Sequence, residues 1–282
     1  MLLRAFIGKK RISRKALTDI KFHGGKLYVN GIEKNVRTIL QTGDQVTVVF
    51  PPEKRGIEMH PKPIPISILY EDASILAIDK PSGLLTIPSA FHTGDSLAQG
   101  VLFYFDQIGL ESTFHAINRL DKNTSGIMLV AKHRYIHHLF SCLQKIHAIQ
   151  RIYIAIVHGE ISEKQGVIDA PIGRVAESLI TRQVCPNGQR ALTEYQVLFC
   201  QNGYSVVKVF PKTGRTHQIR VHMASIGHPL VGDDLYGGSV EKMNRHALHS
   251  THIQFYHPIL EQVINISCAE PTDFQAFIAA YM

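Results

Sequence analysis

The segment Arg119-Leu120-Asp121-Lys122-Asn123-Thr124-Ser125-Gly126 runs straight into the apolar stretch Ile127–Ala131 and so sets one carboxylate in a polar turn ahead of a strand that must be buried. A turn anchored on a rigid strand leaves one face open to substrate, and a carboxylate held there is equipped to act as nucleophile or general base. An aspartate among Asn, Thr, Ser and Gly is also an ordinary turn former, and the residues alone leave both readings open. A second concentration of reactive types is Lys212-Thr213-Gly214-Arg215-Thr216-His217-Gln218-Ile219-Arg220-Val221-His222. Here Arg220 could bind phosphate, and Thr213-Gly214 could cap a helix. The chain has sixteen histidines, and His217 with His222, or His246 with His249 and His252, suggest a metal. None of these spacings forms a His-Glu-x-x-His pattern, so no metal is expected.

Several elements must hold these groups. The 282 residues suffice for one large domain and a small one, and 45% hydrophobic against 19% charged residues provides for a packed core. No apolar run approaches the ~18 to 20 residues of a membrane span. The start, Met1-Leu2-Leu3-Arg4, is charged too soon for a signal peptide, so a cytoplasmic location with no membrane contact is expected. Cys142, Cys185, Cys200 and Cys268 lie far apart without a Cys-x-x-Cys pair, and they read as apolar fillers.

Charge is unevenly divided. Residues 1–62 hold 13 Lys and Arg against 5 Asp and Glu, a net of +8, whereas the remainder is −1. A small basic module beside a neutral large domain suggests a polyanion-docking unit attached to a catalytic one; a merely soluble basic surface is the plainer alternative. Ser13 is a plausible cap for a helix over 12–22 that turns Leu17, Ile20 and the Lys21 stem to one side; Gly24-Gly25 ends it. Strands follow at Lys26–Asn30 and Gln45–Phe50, the first closed by Asn30-Gly31. Pro51, Pro52, Pro61, Pro63 and Pro65 mark an extended connection. The resulting division is a basic RNA-binding module at 1–55, a proline-rich linker at 56–66 and a catalytic domain at 67–282. Within the last, a hairpin over residues 68–81 and helices near 94–106, 133–145 and 215–226 amid irregularly spaced strands predict an α+β fold.

Taken in order, the motifs resemble a known family. Arg119–Lys132, with its Arg-Leu-Asp, Thr-Ser-Gly and Ile-Met-Leu-Val-Ala-Lys segments, is similar to the signature of the RluA-type family of RNA pseudouridine synthases. Arg151–Gly159, Lys212–His222 and Gly227–Asp233 follow in the family's order, as do Leu69–Asp72 with Asp79–Gly83 before them and Leu248-His249 with His257-Pro258 after. The agreement covers about residues 66 to 260. The N-terminal segment resembles a small α/β RNA-binding fold shared by a ribosomal small-subunit protein and many RNA-modifying enzymes.

The resemblance implies a pseudouridine synthase fold with a mixed, bent sheet and flanking helices. It implies isomerisation of uridine in structured RNA, rRNA first and tRNA second, by a monomer without a cofactor. Asp121 takes the nucleophile's position, Arg220 that of the guanidinium orienting it, and Tyr153, which on its residues alone is an ordinary strand tyrosine, that of the ring stacking on the base and assisting proton removal from carbon 5. Arg119 matches the arginine that fills the space of the flipped uridine. Arg215 and His217, with Thr213, are expected pocket or phosphate contacts, and Arg14, Lys15 and Lys21 are expected RNA contacts on the module. Two positions depart from the pattern: Asn118 stands where the family has His, and Arg151 where it has Lys. Two other functions remain in view. One is an RNA-binding or rRNA-folding factor without turnover; the other is a nucleoside hydrolase, which would normally use two carboxylates.

Overall fold

Ser13 opens the N-terminal helix: its hydroxyl accepts from the Ala16 amide at 3.1 Å and caps α2 (Arg14–Phe22), where Ile20 is buried. In the computed structural model, which describes residues 1–56, 59–88 and 94–282, this helix is the second of the chain. The first, α1 (Leu3–Lys9), buries Leu3 and Ile7, and its seven residues are too few for their period to stand out in the sequence. Lys21 does not lend its stem to the apolar face as the pattern suggested; it is exposed, with Nζ 4.7 Å from the centre of the exposed Phe22 ring. Strands β1 (Lys26–Val29), β2 (Ile32–Glu33) and β3 (Val46–Val49) form an antiparallel sheet in the order β2-β1-β3. Gly25 is required before β1, because a β-carbon there would lie 2.7 Å from the Ile20 Cα and the Val49 carbonyl oxygen. Leu3, Ile7, Ile12, Ile20, Leu27, Val29 and Leu40 form a core of their own.

The proline-bearing segment is extended but held fast. Glu53 is buried; its carboxylate accepts from the Arg134 amide at 2.8 Å and meets the His115 ring, while Arg55 pairs with Asp106 at 2.6 Å. Beyond it the Lys62 amide bonds the Gln99 carbonyl, and Met59 and Ile66 pack on the large core. Residues 57 and 58 of the linker lie outside the described residues.

The rest of the chain builds one large mixed sheet. Its strands are β4 (Ser67–Glu71), β5 (Ile75–Lys80), β6 (His115–Ala116), β7 (Ser125–Ala131), β8 (Ile149–His158), β9 (Gln165–Asp169), β12 (Leu192–Gln201), β13 (Tyr204–Pro211), β14 (Leu248–His257) and β15 (Gln262–Ser267). The order is β4-β5-β7-β14-β8-β13-β12-β9, with β6 beside β7 and β15 beside β14; among the described strands only β7 and β14 run parallel. A separate hairpin joins β10 (Ile172–Arg174) and β11 (Arg182–Val184). Residues alternate across the sheet as the pleat demands. Leu76, Ile78, Met128, Val130, Tyr153 and Ala155 pack with α3 (Leu97–Gln107) and α5 (Gln218–Ser225). Ile75, Ala77, Ile127 and Leu129 pack with α4 (Arg134–Lys145), and Ile154 and Ile156 with α6 (Thr272–Tyr281). Covered on both faces, β7 is buried at every residue, which is why its sequence is apolar without alternation.

Helix starts differ from the sequence expectation by up to three residues. α3 begins at Leu97 because the Gln99 side chain folds back to accept from the Ser96 amide. α5 begins at Gln218, not 215, because His217 has φ of +57° and breaks the helical path. The cysteines are half-buried, with Cys200 beside the Ser205 hydroxyl, and so are less fully core residues than expected. No described helix is long and apolar enough to cross a membrane.

Glu53 is the main polar tie between the segment after β3 and the sheet. Burial raises its pKa, but the His115 ring and the Arg134 amide outweigh this and pull it down to about 2. A depressed carboxylate stabilises the fold above its unfolded pKa and loses that contribution as pH falls towards the folded value. Glu53→Gln is therefore expected to cost about 2 kcal/mol at pH 7, with the difference from wild type shrinking between about pH 5 and pH 2. Urea unfolding across that range measures it; equal midpoints at pH 7 would contradict the assignment.

Candidate active site

Asp121 sits in the turn between β6 and β7, and its side chain, 28% exposed, lines a cleft of about 900 Å³. Backbone contacts from three directions fix that turn. Thr86 donates its hydroxyl to the Leu120 carbonyl at 2.8 Å, the Thr124 amide returns to the Asp121 carbonyl, and Gly83 donates to the Lys122 carbonyl. Lys80, fully buried at the end of β5, donates from Nζ to the carbonyls of Pro81, Leu84 and Lys122 at 2.8, 2.8 and 3.0 Å. Burial pulls its pKa down to about 7, with Asp121 opposing, and the three carbonyls use all three donors of an ammonium, which favours the charged form.

Beyond the turn, β7 enters the sheet beside β14. Gly126 has φ of +103°, and a β-carbon there would lie 2.2 Å from the Ser250 carbonyl oxygen, so only glycine allows the parallel strand to approach. Two of the histidines that suggested a metal serve this junction. His246 Nε2 meets the Thr124 hydroxyl at 2.8 Å, and His249 Nδ1 meets that of Ser125 at 2.9 Å. Burial and the nearby Arg220 and Arg245 push His246 down to about 2, so it is neutral here. His222 bonds Thr193 and the Ala170 carbonyl, and His252 bonds Ser267. Among the described residues no group of three or more His, Cys, Asp and Glu could hold a metal.

Arg220 is carried on α5, 6% exposed, and grips Asp233 with two hydrogen bonds, Nε to Oδ2 at 2.8 Å and Nη2 to Oδ1 at 2.7 Å. Its remaining arm, Nη1, reaches Asp121 Oδ2 at 3.4 Å. Burial alone would lower its pKa, but Asp233 and then Asp121 more than compensate and raise it. Tyr236 supplies a ring 5.0 Å under the guanidinium; its hydroxyl meets His217 Nδ1 at 2.8 Å and accepts from the Arg182 amide. His217 Nε2 stands 3.9 Å from Asp121 Oδ2, and burial holds its pKa below the ordinary value. Tyr153 on β8 is 6% exposed and lines the same cleft, and burial raises its phenol pKa.

The structure thus brings Asp121, Tyr153, Arg220 and His217 into one cleft. Arg119 and Arg215 are exposed on its walls, and Arg215 Nε bonds the Arg190 carbonyl. Arg14, Lys15 and Lys21 are exposed on α2 and do not line the cleft. Thr213 caps no helix; its hydroxyl donates to Gln218 Oε1, which also accepts from the Arg215 amide and so closes the loop onto α5. The two departures have structural roles. Asn118 accepts from the Leu129 amide at 2.8 Å and donates to the Ile127 carbonyl, clamping the turn's approach to β7, while Arg151 donates to the Thr213 carbonyl at 3.1 Å and supports the loop before α5. Lys80, Asp233 and Tyr236 have roles that their sequence context did not assign. Charged residues bounding the apolar runs Ile75–Ile78 and Leu230-Val231 were the available signal for the first two; Tyr236 had none.

Comparisons with known proteins show what the chain is similar to. The RNA pseudouridylate synthase family model matches residues 74–225. An uncharacterized RNA pseudouridine synthase of Bacillus subtilis is 42% identical over 278 residues, covering 99% of this chain and 98% of that one. The ribosomal large subunit pseudouridine synthase D of Pseudomonas aeruginosa is 36% identical over 264 residues, covering 89% and 82%. In fold, the human RNA pseudouridylate synthase domain containing 1 superposes with a TM-score of 0.60 at 24% identity, covering 78% of this chain and 87% of that one.

The partners of Arg220 should separate in their effect on stability. Asp233→Ala leaves a buried guanidinium without its bidentate partner and is expected to cost about 3–5 kcal/mol, whereas Asp121→Ala, at an exposed end of the network, should cost under about 1 kcal/mol. Denaturant midpoints measure both; equal losses would refute the division between anchor and presented carboxylate.

Proposed function

The chain belongs to the RNA pseudouridylate synthase family, and from that premise we propose that it isomerises uridines of ribosomal RNA to pseudouridine with Asp121 as nucleophile. It is an RNA pseudouridine synthase. The ribosomal target is supported by relatives named for the large ribosomal subunit, with tRNA as the second candidate. The observation that carries the reading is the contact between a partly exposed Asp121 and a buried Arg220 that Asp233 anchors from behind.

The reaction breaks the bond between uracil N1 and ribose C1′, turns the base, and forms the bond from C5 to C1′. The C5 proton is lost and N1 gains one, so substrate and product are isomers and no external electron or group is required. A stacked uridine cannot present its glycosidic bond to a recessed carboxylate, so the base must leave the helix, and Arg119 at the cleft wall is placed to take its space. Arg220 keeps Asp121 ionised and oriented as the nucleotide displaces its water. Because burial keeps the Tyr153 phenol protonated, we assign it base stacking and hydrogen-bonded assistance to C5 proton loss, in preference to a standing phenolate. Arg215 and His217 contact the nucleotide, and Arg14, Lys15 and Lys21 meet RNA outside the cleft. We take the acting form to be a monomer, and a ribosomal substrate supports a cytoplasmic location.

Incubating the protein with RNA from cells lacking the gene and scoring pseudouridine by carbodiimide chemistry tests the assignment. Asp121→Ala should lower the rate by at least about 10³-fold, and Tyr153→Phe should lower kcat about 10²-fold with KM nearly unchanged. Product formed undiminished by Asp121→Ala would defeat the mechanism, and release of free uracil would replace isomerisation by hydrolysis.

A further inference from the structure

At about 900 Å³ the cleft approaches the upper end of pockets that enclose a whole small molecule, yet Asp121, Tyr153 and Arg220 occupy only one part of it. One long wall is α4, from which His137, Ser141, Gln144 and Lys145 face the space. Their spacing of i, i+4, i+7 and i+8 is a single helical face, and it is polar throughout, while Ile136, Leu139 and Phe140 are buried in the core. The strip is tied to the catalytic turn, because the Gln144 side chain donates to the carbonyl of Ile117, two residues before Arg119.

At its other end α4 meets the basic module. The Tyr135 hydroxyl donates to the Lys10 carbonyl at 2.7 Å, and the Tyr135 ring stacks on Phe50 at 5.2 Å. This seats the turn between α1 and α2, with exposed Lys9, Lys10 and Arg11, on the first turn of α4. The twelve residues of α4 span ~18 Å, roughly five stacked base steps.

The two helix ends share an unusual feature. α1 closes with Ile12 N–H to Ile7 O and Arg11 N–H to Gly8 O, and α4 closes with Ala148 N–H to Leu143 O and His147 N–H to Gln144 O. In both, the residue after the cap is left-handed, Arg11 at φ +61° and His147 at φ +55°. Glycine takes this position without steric cost and is the usual occupant. Here the backbone instead retains an arginine at the module end and an imidazole at the cleft end, where His147 lines the space and its Nδ1 holds the Lys212 carbonyl at 2.6 Å.

We propose that the polar face of α4 is a track for the RNA that flanks the target uridine: the strand leaves the cleft past His147 and Lys145, follows the helix, and ends against the cations of the α1–α2 turn. Duplex flanking the target then lies along α4, and its length decides whether it reaches the cations of the α1–α2 turn. The inference rests on Asp121 marking the position of the target base.

Two hairpins test it, one with a short stem carrying a uridine-rich loop and one with the same loop on a longer stem; binding is measured as a function of salt. Lys145→Ala should weaken both several-fold and reduce the slope of log affinity against log salt by about 0.7–0.9, with Lys145→Arg restoring it. Lys10→Ala with Arg11→Ala should weaken the long stem alone and, with two cations removed, reduce its slope by about 1.4–1.8. On RNA from cells lacking the gene, Lys145→Ala should raise KM and spare kcat. Unchanged affinity and slope for Lys145→Ala on both hairpins would overturn the proposal, as would equal losses on both from the Lys10 and Arg11 pair. A wild type that forms no pseudouridine would refute the catalytic reading instead, and the binding slopes would still decide the track.

Discussion

A guanidinium buried between two carboxylates is the constraint on which the site depends. Placing Arg220 in the interior is unfavourable unless its charge and donors are met, and Asp233 meets both with a planar pair of hydrogen bonds. With Nε and Nη2 committed, the fork can turn only one way, and Nη1 falls beside Asp121. The weaker 3.4 Å contact belongs to the cleft-facing Asp121, and the stronger pair to the buried Asp233. Tyr236 under the guanidinium and His217 against the Tyr236 hydroxyl then follow, since each fills a side of the group that the carboxylates leave open.

The same division between anchor and presented group recurs in the turn. Asp121 projects into the cleft because its neighbours are tied down, Leu120 and Lys122 through their carbonyls by Thr86, Lys80 and Gly83, and Thr124 through its hydroxyl by His246. Lys80 contributes most to this, since one buried ammonium gathers carbonyls from Pro81, Leu84 and Lys122. Neutral histidines suit their positions at the β7–β14 junction, because a charged ring beside Arg220 and Arg245 would be repelled. Histidines that looked like ligands in the sequence are therefore hydrogen-bonding braces.

Rigidity extends beyond the site through Glu53 and α4. Glu53 accepts at the N-terminus of α4, where unpaired amides favour an anion, and joins His115 next to β7. Tyr135 one residue into the same helix completes the module's own core. The basic segment and the catalytic sheet thus share one helix as their common support.

The sequence by itself carried the family and the reaction, and it singled out three residues that the fold brings to one cleft. Asp121 before an apolar run, Tyr153 in a strand, and Arg220 following Thr-Gly-Arg-Thr-His are local patterns, legible because the residues that make each motif adjoin one another. The concentration of positive charge in residues 1–62 was equally legible, being a count. Asn118 and Arg151 could be seen to depart from the pattern, but their roles could not, because their partners, the Leu129 amide and the Thr213 carbonyl, lie 11 and 62 residues away. Only the tertiary structure decided the strand order, the parallel approach at Gly126, and the anchoring by Lys80, Asp233 and Glu53. Each of these joins groups distant in the chain, and their energy comes from desolvation and geometry that exist only once the sheet has closed around them.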